Sequence, residues 1–94
     1  MGDTLQRCFC RAKGKVQGVG FRVFVQQQAS ELAITGWVHN EDDGTVTMEL
    51  QGEEHELERL KNRIRLGNFF IRVDDFAEEE REVLAEETGF KICY

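Results

Sequence analysis

The chain has no proline, and it shows no internal repeat, no low-complexity segment and no stretch typical of a linker. Its 94 residues are enough for one hydrophobic core of modest size. Apolar residues make up 40% of the chain and charged residues 32%, which is typical of a folded globular protein and not of a disordered one. We therefore expect a single domain over residues 1–94.

Long apolar runs and an excess of basic residues are also missing. No run approaches the roughly 20 apolar residues that a membrane-spanning helix needs. The start, from Met1 to Thr4, lacks the basic-then-apolar pattern of an export signal. The net charge is −6, whereas nucleic acids and anionic membranes select basic surfaces. These features predict a soluble cytoplasmic protein with neither nucleic acid nor membrane as a partner.

The cysteines, Cys8, Cys10 and Cys93, are too few and too irregularly spaced for a disulfide framework. Cys8 and Cys10 alternate on a predicted strand, so their side chains share one face about 6.5–7 Å apart, which suits a disulfide poorly. The sequence near them offers no further metal ligands at a suitable spacing. We interpret them as small buried apolar side chains in a reducing compartment.

The segment from Gly14 to Arg22, G-K-V-Q-G-V-G-F-R, is rich in glycine and leads into a helical pattern. In such a turn the backbone N–H groups can point inward, the helix start carries partial positive charge, and the missing Cβ atoms let an anion approach closely. Arg22 adds a planar fork that can bind two phosphate oxygens, and Lys13 and Lys15 would add positive potential. The spacing fits neither the dinucleotide fingerprint nor the P-loop. It indicates an anion site of another kind; the alternative is an ordinary strand-to-helix turn.

Hydrophobic periodicity predicts the order strand, helix, strand, strand, helix, strand, with a short terminal strand. The predicted segments are 7–13, 21–32, 34–40, 45–51, 52–66, 70–76 and 90–94. Asp43 and Gly44 predict a hairpin turn between the second and third strands. The acidic segment 77–87 is either an exposed connection or a short helix. This order is typical of the ferredoxin-like split βαβ (βαββαβ) fold, an α+β sandwich with an antiparallel sheet of four to five strands and both helices on one face.

Two sequence blocks and the closing residues resemble the acylphosphatase family. The blocks are G-K-V-Q-G-V-G-F-R at 14–22 and G-W-V-H-N-E-D-D-G-T-V at 36–46, and the chain closes with F-K-I-C-Y at 90–94. The resemblance covers essentially the whole chain. It implies hydrolysis of acyl phosphates, which are mixed anhydrides of a carboxylic and a phosphoric acid, without a metal or organic cofactor. We expect a monomer whose partners are a small-molecule acyl phosphate and inorganic phosphate, the latter as product and inhibitor.

The resemblance also implies roles for individual residues. Arg22 would bind the phosphoryl group, and Asn40 would orient the attacking water. Backbone amides would form a cradle around the phosphate; its residues are Gln17, Gly18, Val19, Gly20, Phe21 and Arg22. An asparagine can hold a water in line but cannot act as a general base, because its amide stays neutral. We expect the hairpin strand to run beside the first strand and to bring Asn40 to the cradle.

Other interpretations of these residues remain. By itself, Asn40 is more typical of a strand-end residue that bonds the following turn. His39 should face away from Asn40 on the strand, and His55 lies in the predicted second helix, so neither is expected to be catalytic.

Two other classes of function are also possible. The chain could be a non-catalytic module that binds an acyl phosphate or carbamoyl phosphate, although the presence of both Arg22 and Asn40 favours the enzyme. A ferredoxin-like domain that binds RNA or carries a metal is disfavoured, because the chain is acidic and lacks both an aromatic RNA-binding motif and a C-x-x-C motif.

Overall fold

The computed structural model describes residues 4–94, which form five strands and two helices in the predicted order. The elements are β1 (Leu5–Lys15), α1 (Phe21–Glu31), β2 (Thr35–Asn40), β3 (Val46–Glu53), α2 (Glu54–Leu66), β4 (Arg72–Arg81) and β5 (Phe90–Cys93). Within this range, neither helix has the length and apolar character needed to cross a bilayer. The first three residues, part of the N-terminal stretch that we interpreted as lacking an export signal, lie outside the described part.

The strands form one sheet in the order β4-β1-β3-β2-β5. Neighbouring strands are antiparallel except β2 and β5, which run parallel. Both helices pack on the same face, α1 over β2 and β5 and α2 over β3 and β4. The ferredoxin-like α+β sandwich is therefore confirmed. The expected antiparallel sheet proves to be mixed: β5 alone among the described strands pairs in parallel, because the chain crosses from β4 at one edge to the opposite edge before it forms β5.

The hydrophobic core lies between the sheet and the two helices. Alternate residues of the central strands β1 and β3 point into it and are almost fully buried; they are Cys8, Cys10, Ala12, Val46, Met48 and Leu50. Each helix contributes residues at the three- and four-residue spacing of one helical face, which are Phe21, Val25, Ala29, Leu57, Leu60 and Ile64. This packing fixes the start of α1 beside the end of the sheet where β1 finishes.

The acidic segment after residue 76 was only partly interpreted correctly. Strand β4 continues to Arg81 and pairs with β1 along its length, so the first half of the segment is strand and not a connection or helix. The alternation is hard to recognise because β4 is an edge strand whose side chains are mostly exposed. Its Glu78 accepts hydrogen bonds from Lys61 and Arg65 of α2, both at 2.8 Å. Charged residues on an edge strand also oppose pairing with other chains.

The connection from β4 to β5 is held across the sheet by side chains from three strands. The Glu87 carboxylate accepts hydrogen bonds from Arg7 of β1 at 2.7 and 3.2 Å and from the Thr35 hydroxyl of β2 at 2.7 Å. Gln51 of β3 exchanges two hydrogen bonds with the backbone of Leu84, both at 2.8 Å. Arg7 is only 2% exposed. These bonds guide the chain to the far edge, where β5 runs parallel to β2.

Replacing Glu87 by glutamine is expected to lower the free energy of unfolding by about 1–2 kcal/mol at neutral pH, because hydrogen bonds to a charged group are stronger than those to a neutral one. Partial burial opposes ionisation of Glu87, but hydrogen bonds from Arg7 and Thr35 outweigh it and hold the pKa of this carboxyl below its ordinary value. The stabilisation is therefore complete above the unfolded-state pKa, near 4, and is lost as the pH falls through the lower folded-state pKa.

Urea unfolding of the wild type and of Glu87→Gln, measured from neutral pH down to about pH 3.5, checks this expectation. The difference in unfolding free energy should shrink as the pH falls. The exposed Glu82 lies in the same connection, so Glu82→Gln is a matched control with little expected effect. A Glu87→Gln deficit that is the same at every pH would contradict the assigned role of the charge.

Candidate functional site

The loop of residues 16–20 joins β1 to α1, and the space beside its two glycines is open. Gly18 and Gly20 have φ values of 73° and 78°, in the left-handed region that favours glycine. A Cβ atom at either position would meet no atom within 4 Å. Gly14, which the sequence pattern groups with the loop, instead pairs with Val73 at an irregularity between β1 and β4. A Cβ atom there would lie 2.3 Å from a β4 carbonyl oxygen, so this glycine serves strand pairing.

The start of α1 presents backbone donors without a side-chain cap. The helix begins at Phe21, and its N-cap residue, Gly20, has no side chain to bond the first N–H groups. The first turn contains no acidic residue. The partial positive charge of this helix end is therefore not neutralised by its own first turn. Arg22 lies in the same turn and adds a full positive charge.

A hollow of about 130 Å³ lies between the loop, the start of α1 and the end of β2. It is lined by Val16, Gly18, Gly20, Phe21, Arg22, Val23 and Asn40. Its volume equals about four water molecules at their share of the liquid, roughly 30 Å³ each. Four of the six predicted cradle residues line it, and Gln17 and Val19 do not. Lys13 and Lys15 are exposed on β1 and are not among the lining residues, so Arg22 is the cation of this hollow.

The side chain of Arg22 is held by the last two residues of the chain. Its Nη1 donates a hydrogen bond to the Cys93 carbonyl oxygen at 3.1 Å. Its guanidinium carbon lies 4.9 Å from the centre of the Tyr94 ring, within the range of a cation–π contact. Sequence reasoning missed both contacts, because they depend on β5 lying parallel to β2 at the same end of the sheet. The only sequence feature that pointed to a role for Cys93 and Tyr94 was the resemblance of the closing residues to the family.

Asn40, at the end of β2, carries a buried acceptor that lacks a partner. Its Oδ1 has no hydrogen-bond partner within residues 4–94. Buried acceptors without a partner are uncommon, and each one calls for a physical reason such as a bound water or ligand. His39 lies on the opposite face of the strand, and neither it nor His55 lines the hollow.

Our prediction that the strand carrying Asn40 runs beside the first strand was wrong. Strand β2 does not run beside β1, because β3 lies between them. The two parts of the site meet because α1 packs over β2 and β5 and brings its first turn to the end of β2. The loop therefore crosses the end of the sheet. Helix α1, which follows it, brings Arg22 and Asn40 together, and strand pairing does not.

Gln17 ties the loop to the hairpin turn that follows Asn40. Its Nε2 donates to the backbone oxygens of Glu41 at 2.8 Å and Thr45 at 2.9 Å. The turn is closed from within, since the Asp43 carboxylate accepts hydrogen bonds from the Thr45 hydroxyl and backbone N–H, which lower the pKa of Asp43. Sequence reasoning predicted a role for the backbone amide of Gln17 and missed that of its side chain. The loop and the turn thus form one connected unit.

Comparisons with known proteins agree over nearly the full chain. A family model described as Acylphosphatase matches residues 8–92. A protein of Geobacillus kaustophilus named acylphosphatase is 44% identical over 90 residues, which are 96% of each chain. The crystal structure of acylphosphatase from Bacillus subtilis superposes with a TM-score of 0.87 at 37% identity and covers 97% of this chain and 100% of that one.

A larger protein contains a similar region. The crystal structure of full-length HypF in the phosphate- and nucleotide-bound form matches with a TM-score of 0.87 at 33% identity, over 97% of this chain but 12% of that one. The family model and the full-length identities together show that the chain belongs to the acylphosphatase family, the enzymes that hydrolyse acyl phosphates.

Proposed function

We propose that this chain hydrolyses acyl phosphates in the hollow between the loop, the start of α1 and Asn40, with Arg22 and Asn40 as the catalytic residues. One observation carries the proposal. The same hollow of about 130 Å³ is lined by an uncapped helix start, an arginine and a buried amide oxygen that has no partner within residues 4–94. The first two features suit a phosphoryl group, and the third suits a water molecule.

The phosphoryl group would be held by backbone N–H groups of residues 17–22 and by the Arg22 guanidinium. In phosphoryl transfer the transition state spreads negative charge over the equatorial oxygens, and the protein contributes mainly position and fixed positive charge. The donors of a loop and of a helix start are already oriented, so little reorganisation accompanies the reaction. Arg22 would exchange its bond to the Cys93 carbonyl for phosphate oxygens, to which its planar fork is matched.

The attacking water would be held by Asn40. A water that donates one hydrogen to the partnerless Oδ1 satisfies that acceptor and can turn a lone pair toward the phosphorus. The amide has no proton-accepting role at working pH, so it aims the water without activating it as a base. Its contribution is therefore one of orientation, which is worth most in the transition state.

The leaving group needs no acid from the protein, because the breaking P–O bond releases a carboxylate, which is stable as an anion. The new P–O bond forms to the water oxygen, and we propose that the water proton passes to an oxygen of the transferred phosphoryl group. The products are a carboxylate and inorganic phosphate. No histidine is required in this scheme, in keeping with the location of His39 and His55 away from the hollow.

A non-catalytic module for acyl phosphate or carbamoyl phosphate remains the second candidate, supported by the similarity to a region of the much larger HypF. Incubation with benzoyl phosphate in the presence of a chelator separates the two. The enzyme is expected to release benzoate without added metal, with competitive inhibition by inorganic phosphate. Binding of benzoyl phosphate without turnover would support the module instead.

Replacing Gln17 by alanine is expected to lower kcat by about tenfold, or about 1.4 kcal/mol, because it removes the two bonds that tie the loop to the turn after Asn40. Steady-state kinetics with benzoyl phosphate measures this, and KM should change less than kcat. Gln27 is exposed on α1, so Gln27→Ala is a control for general effects on this part of the chain. Wild-type kcat in Gln17→Ala would rule out the positioning role.

We further propose that the chain is one domain that works as a monomer in the cytoplasm. The three cysteines are free thiols in residues 4–94, which suits a reducing compartment. Sedimentation of the active enzyme at assay concentration tests the monomer, and a dimer under those conditions would overturn it.

A further inference from the structure

The proposed catalytic hollow has a buried floor and an exposed mouth. Its floor includes the Asn40 Oδ1 atom, which is buried, and two side chains that are each 1% exposed, Val16 and Phe21. The lining residues at the mouth are exposed; they are Gly18, Gly20 and Val23. Two of these are glycines, so Val23, which is 48% exposed, supplies the apolar side chain of the mouth.

The hollow has room for the phosphoryl group and the attacking water but not for the acyl group. Its volume of about 130 Å³ equals about four water molecules at roughly 30 Å³ each. The terminal oxygens of the phosphoryl group and the oxygen of the attacking water fill that number of positions. The acyl group of the substrate therefore lies outside the hollow, at its mouth.

The direction of the displacement leads to the same place. In phosphoryl transfer the attacking and leaving oxygens lie roughly in line, on opposite sides of the phosphorus atom. In the function proposed above, on which this step rests, the attacking water is bound by Asn40 Oδ1 on the floor of the hollow. The leaving oxygen and its acyl group then point to the mouth, where Val23 lies.

We propose that Val23 contacts the acyl group and makes the enzyme select acyl phosphates with a large apolar acyl group over those with a small one. Val23 lies in the first turn of α1, next to Arg22. A valine in a helix is nearly restricted to one χ1 rotamer, so its methyl groups are held in place. Contact with an apolar acyl group removes apolar surface of both from water, which strengthens binding. An acetyl group presents less surface and gains less from the same contact.

Steady-state kinetics with benzoyl phosphate and acetyl phosphate tests the contact. Val23→Thr replaces one methyl group by a hydroxyl and should raise KM for benzoyl phosphate by about three- to tenfold. The change should be smaller for acetyl phosphate, and KM should change more than kcat, because the contact is made before and during the reaction alike. Val23→Leu enlarges the apolar surface and should lower KM for benzoyl phosphate, a gain that a damaged fold would not produce.

Two controls show that the effect belongs to the acyl group. Inorganic phosphate has no acyl group, so its competitive inhibition constant should stay within about twofold in both Val23 variants. Val83 is 41% exposed in the connection from β4 to β5, and Val83→Thr makes the same chemical change away from the lining of the hollow. It should leave the ratio of the two KM values unchanged.

Two unreactive analogues separate this inference from the proposed reaction. Phenacylphosphonate and acetonylphosphonate carry a CH₂ group in place of the bridging oxygen, so calorimetric titration measures their binding without turnover. The wild type should bind phenacylphosphonate more tightly, and Val23→Thr should reduce that preference by about three- to tenfold. If the wild type shows this preference but hydrolyses no acyl phosphate, the reaction is wrong and the acyl contact stands. An unchanged preference in Val23→Thr, or an equal loss of affinity for both analogues and for phosphate, would overturn the acyl contact whether or not hydrolysis occurs.

Discussion

Replacing Arg22 by alanine is expected to lower kcat/KM for benzoyl phosphate by about 100- to 1,000-fold, equivalent to about 2.7–4 kcal/mol of transition-state stabilisation. Arg22 is the cation among the described residues that line the hollow, and in our account it neutralises the charge of the transferred phosphoryl group. The competitive inhibition constant of inorganic phosphate should rise in the same variant, because the guanidinium would also bind the product.

Two further variants show whether the loss comes from the charge itself. Arg22→Lys keeps a positive charge but not the planar fork, so it should recover only part of the activity. Arg59 forms an exposed ion pair on α2, and Arg59→Ala is expected to behave like the wild type. Unchanged phosphate inhibition in a folded Arg22→Ala enzyme would refute the assignment of Arg22 to the phosphate site.

Replacing Asn40 by alanine is expected to lower kcat by about 100- to 1,000-fold, with the phosphate inhibition constant changed by no more than about threefold. The reason is that the amide would orient the water and would contribute little to binding of the phosphoryl group. The variant also removes a buried acceptor that has no partner within residues 4–94, so the free energy of unfolding should not fall much. Steady-state kinetics and urea unfolding measure the two effects.

His39 supplies the matched control, since it is the preceding residue of β2 and faces the other side of the sheet. His39→Ala should keep close to wild-type kcat. If Asn40→Ala remained fully active, the orientation of the water by this amide would be wrong. If phosphate inhibition weakened as strongly as kcat fell, Asn40 would belong to the phosphate cradle instead.

Much of the molecule follows from local sequence signals. The period of two in β1, β2 and β3 and the helical spacing in α1 and α2 predicted these elements, because each buries one face against a common core. The glycines at 18 and 20 predicted the loop, since their left-handed conformation suits that residue type. The order of the elements then limited the fold to few alternatives.

The remaining features depend on long-range contacts that have no local signal. The second half of β4 is an edge strand that buries little, so it carries charged residues on both faces. The alternation of apolar and polar residues that marks a strand is therefore not evident there. The parallel pairing of β5 with β2 requires the chain to cross the sheet, and the connection that does so contacts Arg7 and Thr35 through Glu87. The contacts of the Gln17 side chain with the hairpin turn and of Arg22 with Cys93 likewise join residues that are distant in sequence.

The central claim is that an oxyanion binds at the start of α1 opposite Asn40, and a crystal of this chain soaked in inorganic phosphate tests it most directly. We expect phosphate in the hollow, with its oxygens bonded to the backbone N–H groups of residues 17–22 and to an Arg22 side chain that has left the Cys93 carbonyl. A water should bridge the anion and Asn40 Oδ1. An empty hollow at phosphate concentrations that inhibit the enzyme, or phosphate bound elsewhere, would contradict the account.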